Sequence, residues 1–128
     1  GTGILSIAAL LLGAEHAWCV DIEEDAVKSC EQNCLLNGVN ERVSHICGTL
    51  SAIQEDQFDL VLANIYGYIL LDVASELVTK TKPGAKILLS GILWEYNFDV
   101  RKKYQNLGCD VIKNRMLEEF STVLLVKR

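Results

Sequence analysis

The sequence lacks any cysteine pattern that would hold a metal ion or a disulfide framework. It contains five cysteines but no Cys-x-x-Cys, and neither His16 nor His45 stands at metal-ligand spacing from them. An odd number of scattered cysteines favours small buried thiols in a reducing compartment. We therefore predict free thiols, no bound metal and a cytoplasmic location.

Long apolar runs and an excess of basic residues are also missing. The longest apolar run, residues 7–12, is far too short to span a membrane. The formal net charge is −5, which argues against a surface that coats nucleic acid. We expect no membrane association and no direct nucleic-acid binding, whereas a basic protein substrate is compatible with this charge.

The chain has no repeat, no low-complexity tract and no interdomain linker. Its 128 residues, half of them hydrophobic, suit one domain, residues 1–128, with a real core. The sequence has no initiator methionine and begins inside a glycine turn. Because a buried strand comes before such a turn in open α/β folds, we expect the chain to be a piece of a longer protein that supplies this first strand.

The first twenty-one residues form the most informative stretch. Gly1-Thr2-Gly3 runs into an apolar helix predicted at Ile4–Leu12, and a strand at Ala17–Val20 ends in Asp21. Glycines let the backbone approach a ligand, and a carboxylate after the next strand accepts hydrogen bonds from a ribose diol. This pattern predicts a nucleoside-binding corner. The alternatives are a plain strand-to-helix turn and an Asp21 that caps a helix or is simply solvated.

The rest of the chain alternates between helical and strand patterns. Phe58–Ala63 is a nearly continuous apolar run, which suits a strand buried on both faces. Pro83-Gly84 should end one long helix, with Lys80 and Lys82 complementing its dipole. The remaining predictions are helices near 23–36 and 96–107, and strands near 43–46, 85–92, 109–116 and 120–126.

The two last strands distinguish between classes of α/β protein. The link at residues 117–119 is too short for a parallel crossover, so it must form an antiparallel hairpin. A dinucleotide-binding Rossmann domain keeps its sheet parallel. Its glycine-rich fingerprint also requires Gly or Ala at the position where this chain has Ser6. The pattern therefore predicts an α/β sheet with helices on both faces and a terminal hairpin.

These segments resemble class I S-adenosylmethionine-dependent methyltransferases over nearly the whole chain. The resemblance rests on residues 1–9 (the later part of motif I), 20–22, 59–65 and 83–93. Within that class, Ala63-Asn64-Ile65 and Leu89-Ser90-Gly91-Ile92-Leu93 look most like the ribosomal protein L11 methyltransferase family. The resemblance implies a Rossmann-like sheet of order 3-2-1-4-5-7-6, whose first, central strand is absent from this sequence.

The resemblance also implies roles for individual residues. Gly1, Thr2 and Gly3 would line the methionine part of S-adenosyl-L-methionine, Asp21 would hold the ribose, and Ile22 would pack on the adenine. Thr49 and Leu50 would meet the adenine edge, unless they form an ordinary polar turn. Asn64 would contact the cofactor or accept a hydrogen bond from the substrate amine as the catalytic residue, unless it caps the next helix.

Several neighbouring side chains stay open between a functional and a structural role. Trp94 would wall a lysine channel or be a core or helix-packing aromatic. Tyr66 and Tyr68 would line the entrance or simply be half-exposed, and Glu95 is expected to be an exposed loop carboxylate. Tyr66-Gly67 departs from the family, where Leu-Ala or similar small residues are more common.

The sequence predicts a protein methyltransferase that acts on lysine or α-amino groups, with ribosomal protein L11 as the substrate. Another protein-lysine or small-molecule methyltransferase is the alternative within the class. A nicotinamide-dinucleotide-binding module and a catalytically inactive binding domain are the alternatives outside it.

Overall fold

Helices and strands alternate along the computed structural model, which describes all 128 residues. Contacts divide the chain into two units, Gly1–Gln54 and Glu55–Arg128. The first unit contains α1 (Ile4–Leu11), β1 (Ala17–Asp21), α2 (Glu24–Leu36) and β2 (Val43–Cys47). The second contains β3 (Phe58–Asn64), α3 (Gly67–Asp72), α4 (Ala74–Thr79), β4 (Thr81–Leu93), α5 (Trp94–Asn106), β5 (Cys109–Leu117) and β6 (Phe120–Lys127).

The first unit is a parallel β1–β2 pair with both helices packed near it. β1 and β2 pair in register from Ala17 with Val43 to Asp21 with Cys47. The core consists of Ile7 and Leu10 of α1, Cys30 and Cys34 of α2, and Val39, which follows α2. The guanidinium of Arg42 donates to the carbonyls of Ala14 (2.9 Å) and Leu10 (3.3 Å) and so satisfies acceptors at the end of α1.

The second unit is built on a four-stranded sheet of order β3-β4-β6-β5. β3 and β4 are parallel, whereas β4–β6 and β5–β6 are antiparallel. Leu117 pairs with Phe120, so only two residues connect β5 and β6, and Glu118 adopts φ +56° in this turn. The predicted terminal hairpin is therefore confirmed.

Side chains of α3, α4 and α5 cover this sheet. The fully buried residues include Leu70, Ile87, Leu89, Val100, Tyr104, Val123 and Leu125. The phenol of Tyr104 donates to the carbonyl of Leu70 at 2.9 Å, and burial raises the pKa of that phenol. Asn97 joins α5 to the hairpin, because its amide donates to Ser121 Oγ (2.9 Å) and Asn114 Oδ1 (2.8 Å).

The prediction that Phe58–Ala63 is buried on both faces is wrong. β3 is an edge strand that pairs with β4 alone, and Leu60 is 47% exposed. An apolar run records which residues a strand holds, whereas burial of its two faces depends on the elements that pack above and below the sheet. β1 likewise pairs only with β2. Within each unit the strand order, β1-β2 in the first and β3-β4-β6-β5 in the second, agrees with the corresponding part of the expected order.

The boundaries around Pro83 also differ from the prediction. The single helix expected after β3 is two short helices divided at Val73, and the second ends at Thr79. β4 begins at Thr81, and its pairing with β3 jumps from Thr81 to Lys86, so Pro83 and Gly84 lie in an excursion of the strand. Lys82 pairs with the carboxylate of Asp59 at 3.6 Å and does not complement the helix dipole as predicted.

Gly67, the first residue of α3, permits the close approach of α5. A Cβ at Gly67 would lie 2.6 Å from Cβ and 2.8 Å from Cγ of Tyr96, and the Cβ of Tyr96 cannot move without its backbone. We expect Gly67→Ala to reduce the free energy of unfolding by about 1–3 kcal/mol through overpacking. Denaturant unfolding measures this, with the exposed Ser75→Ala of α4 as control. A Gly67→Ala variant as stable as that control would contradict the packing argument.

Candidate functional site

The glycine turn begins α1, and Gly3 is fixed there by two independent constraints. Its φ is +83°, and its carbonyl accepts the first helical hydrogen bond from the N–H of Ile7 at 2.9 Å. A Cβ at Gly3 would lie 2.5 Å from Sγ of Cys30. Gly3 is therefore required by the left-handed backbone and by the packing of α2 against the turn. At Gly1 a Cβ would meet nothing within 4 Å.

The side chain of Asn33, which no sequence pattern predicted to have a role, anchors this turn. The amide of Asn33, on α2, donates to the carbonyl of Thr2 at 2.9 Å. The bond joins residues 31 positions apart, and no local pattern around Asn33 predicts it. It holds the carbonyl of Thr2 toward α2.

Asp21 ends β1 beside this turn. Its Oδ2 accepts a hydrogen bond from the amino group of Gly1, and its Oδ1 accepts one from the N–H of Glu23 at 3.0 Å. These two donors, the Gly1 amino group first, hold the pKa of the carboxyl below its ordinary value of 3.8. Asp21 is therefore ionised at neutral pH, and with 27% of its side chain exposed it remains accessible.

The other predicted residues of the first unit lie at the same ends of β1 and β2. The N–H of Gly48 donates to the carbonyl of Asp21 at 2.9 Å, and the thiol of Cys47 lies 3.7 Å from the carbonyl of Ile22. Ile22 is 67% exposed. Thr49 is exposed and Leu50, half-buried, begins a short 3-10 turn. We call Gly1, Thr2, Gly3, Asp21 and Ile22 the glycine-turn corner.

The environments of the cysteines predict very different reactivities. All five are free: Cys30, Cys34 and Cys109 are buried, Cys19 is half-buried and Cys47 is exposed. Burial, reinforced by the neighbouring Cys19 and Cys34, raises the pKa of Cys30 to about 12. No group of three His, Cys, Asp or Glu side chains is placed to hold a metal ion.

We expect a thiol reagent to label Cys47 first in the native protein and the three buried cysteines only on unfolding, because a buried, protonated thiol is a poor nucleophile. Timed labelling with mass mapping measures this, and Cys47→Ser should remove the fast phase. Thiol counting on the denatured, unreduced protein should return all five cysteines of this chain. Rapid native labelling of Cys30 would contradict the closed packing around Gly3.

In the second unit, Asn64 stands at the end of β3, opposite Ser90 of β4. It does not cap the following helix, because the N-cap of α3 is Tyr66 and no side chain caps it. Asn64 is exposed and lines an open cavity of about 420 Å³ together with Ile65, Tyr66, Ile69, Gly91 and Phe120. We call this the Asn64 cavity. It offers one amide among mainly apolar walls, the usual composition of a small-ligand site.

Aromatic side chains surround the cavity or follow it in the chain. The rings of Tyr66 and Tyr68 stack with centroids 5.9 Å apart and an interplanar angle of 5°. Both are exposed, so neither is a core residue. Trp94 is 63% exposed, so it is not a core residue, and its backbone N–H donates to the carbonyl of Glu119 at 2.8 Å. Glu95 is exposed, as expected.

The parallel strands, the terminal antiparallel hairpin and the carboxylate ending β1 define a Rossmann-like methyltransferase fold. Solved structures share it. Ribosomal protein L11 methylase from Lactobacillus delbrueckii subsp. bulgaricus has a TM-score of 0.87 at 26% identity, covering 100% of this chain and 67% of that one. An RNA methyltransferase from Salinibacter ruber, in complex with S-adenosyl-L-homocysteine, has a TM-score of 0.77 at 16% identity, covering 100% and 76%.

The family follows from the sequence comparisons. The chain belongs to the family described as Ribosomal protein L11 methyltransferase (PrmA), whose model matches residues 1–128. The ribosomal protein L11 methyltransferase of Geotalea uraniireducens (strain Rf4) is 39% identical over 123 residues, which cover 94% of this chain and 38% of the relative. The chain thus spans well under half the length of the curated relatives it matches. It contains no helix long and apolar enough to cross a membrane.

Proposed function

We propose that residues 1–128 form the catalytic domain of an S-adenosyl-L-methionine-dependent protein methyltransferase that modifies lysine or α-amino groups of ribosomal protein L11 in the cytoplasm. The observation that carries this proposal is the family match over the whole chain. The named relatives are ribosomal protein L11 methyltransferases, which supports the substrate assignment.

The glycine-turn corner fits the cofactor. Gly1 and Thr2 are exposed, and a Cβ at Gly1 would meet nothing within 4 Å, so the backbone of the turn is open to a ligand at the start of α1. The ionised carboxylate of Asp21 is an acceptor suited to two ribose hydroxyls. We assign Ile22 to the adenine face and Thr49 and Leu50 to the adenine edge. The bound S-adenosyl-L-methionine supplies a methyl group on a positively charged sulfur.

We assign Asn64 to contact with the substrate amine that receives the methyl group. In the reaction, the lone pair of a neutral amine forms a bond to the methyl carbon, the carbon–sulfur bond breaks, and its electron pair neutralises the sulfonium. The proton of the resulting ammonium then passes to solvent. The oxygen of Asn64 can accept a hydrogen bond from the amine and so aim its lone pair, and it adds no charge that would stabilise the unreactive ammonium.

The test uses the full-length protein, purified ribosomal protein L11 and S-adenosyl-L-methionine. We expect intact-mass spectra of ribosomal protein L11 to gain increments of one methyl group, and substrate with acetylated amines to gain none. Isothermal titration should give binding of S-adenosyl-L-methionine and none of NAD. Binding without transfer would favour an inactive binding domain, and preferential binding of NAD would overturn the class of cofactor.

A further inference from the structure

Gly91 lies on β4, directly beside the amide of Asn64. β4 pairs with β6 at Leu89–Val123 and again at Ile92–Ser121, so β4 holds one more residue than its partner across this interval. Gly91 occupies the interval with φ +72°. A left-handed glycine in an unevenly paired stretch is a β-bulge, a feature that often re-aims a side chain next to an active site.

Two constraints on Gly91 can be separated. The first is its left-handed backbone, which Gly84 (φ +85°) and Gly108 (φ +96°) share. The second is the lack of space for a Cβ, and this constraint applies to Gly91 but not to Gly84 or Gly108. A Cβ at Gly84 or Gly108 would meet nothing within 4 Å, whereas a Cβ at Gly91 would overlap Oδ1 of Asn64 and lie 3.4 Å from its Cγ.

We propose that Gly91 is a positioning residue for methyl transfer, because the absence of a side chain at Gly91 leaves the space that the Asn64 oxygen occupies in its present orientation. This inference rests on the proposed function of Asn64. The atom that a Cβ would displace is the far end of a flexible, exposed side chain. The fold can therefore accommodate a Cβ at Gly91 by turning the Asn64 amide. The Asn64 oxygen then no longer points at the substrate amine.

The neighbours of Asn64 support this reading. Asn64 and Ser90 are partners in the β3–β4 register, so Gly91 follows directly after the residue that faces Asn64 across the strands. Both Asn64 and Gly91 line the Asn64 cavity.

The experiment compares Gly91→Ala with Gly84→Ala in the full-length protein, assayed with ribosomal protein L11. Both variants put alanine at a left-handed glycine of β4, but only the first adds an atom against Asn64. We expect Gly91→Ala to lower kcat about 100-fold relative to Gly84→Ala, with the Kd for S-adenosyl-L-methionine unchanged, as for a misaimed group. The double variant Asn64→Ala/Gly91→Ala should have the kcat of Asn64→Ala alone.

A second readout does not depend on activity. The side-chain amide resonances of Asn64, assigned from their loss in Asn64→Ala, should move in Gly91→Ala and stay in place in Gly84→Ala. If Gly91→Ala does not fold, Gly91→Asn and Gly84→Asn replace the pair, because asparagine tolerates the left-handed conformation and still carries a Cβ.

The outcomes separate this inference from the proposed function. Equal kcat in Gly91→Ala and Gly84→Ala, with Asn64→Ala impaired, would overturn the role of Gly91 and leave the function intact. A double variant slower than Asn64→Ala would show that Gly91 acts on something other than Asn64. If the wild type transferred no methyl group, the proposed function would fail. The role of Gly91 in positioning the Asn64 amide would still be tested by the resonances, and it would be overturned if they did not move in Gly91→Ala.

Discussion

Asn64→Ala is expected to lower kcat for methylation of ribosomal protein L11 by about 100-fold, the effect of losing the group that orients a reactant. Asn64 is the one strongly polar side chain in the lining of the Asn64 cavity, whose other members are Ile65, Tyr66, Ile69, Gly91 and Phe120. Alanine leaves the amine free to turn its lone pair away from the methyl carbon. The loss should therefore fall on kcat, with the fold intact because Asn64 is exposed.

Steady-state kinetics with varied ribosomal protein L11, together with cofactor titration, measure this effect. Asp59→Asn is a matched control, since Asp59 lies on the same strand and its side chain is 89% exposed. A larger Kd for S-adenosyl-L-methionine with unchanged kcat would mean that Asn64 contacts the cofactor and not the substrate amine. Unchanged values of both would remove Asn64 from the site.

Asp21→Ala is expected to weaken binding of S-adenosyl-L-methionine by about 1–3 kcal/mol, the cost of losing charge-assisted hydrogen bonds. At about 1.4 kcal/mol per factor of ten, the Kd rises roughly 5- to 150-fold. Asp21→Asn, which keeps the shape and loses the charge, should fall in between. Here kcat at saturating cofactor should change little, because the ribose does not react.

Isothermal titration of the full-length variants measures this change, and Glu24→Ala is the control. Glu24 stands three positions further along, and its exposed carboxylate only pairs with Lys28 at 3.5 Å. Equal affinities in Asp21→Ala and Glu24→Ala would exclude Asp21 from the cofactor site. A thermal melt of each variant shows whether a lost affinity reflects a lost fold.

The pH dependence of binding gives a second check on Asp21. A carboxyl group with a pKa at or below its ordinary value of 3.8 stays ionised as the pH falls from neutral to about 5, so the contribution of Asp21 disappears only at lower pH. The affinity difference between wild type and Asp21→Ala should therefore be constant from about pH 8 to about pH 5. A difference that vanished within that range would mean that another titrating group carries the effect.

Sequence patterns predicted the elements well where the relevant interactions are local. The apolar spacing of α2 and the glycine turn before α1 have local causes, namely helical periodicity and backbone freedom at Gly3. The hairpin follows from the length of the link between β5 and β6 alone. The same is true of Asp21, whose place after a strand follows from the pattern of residues 17–21.

Predictions failed where a distant partner sets the outcome. β3 reads as a buried strand because its residues are apolar, yet its burial depends on which strands pair with it, and it pairs with β4 only. Pro83 and Gly84 read as a helix end, yet pairing between Phe58 and Thr81 draws the preceding residues into β4. Asn33 was missed because its bond to Thr2 spans 31 positions.

Residue type and spacing along a few neighbours were enough to predict the class of fold, the glycine turn and the places of Asp21 and Asn64 at the ends of their strands. The tertiary structure was needed to show which groups lie against them: Cys30 against Gly3, Asn33 on Thr2, and Gly91 beside Asn64. Steric exclusion acts between atoms that are close in space and distant along the chain, so the letters Ser90-Gly91-Ile92 do not disclose which side chain needs the glycine.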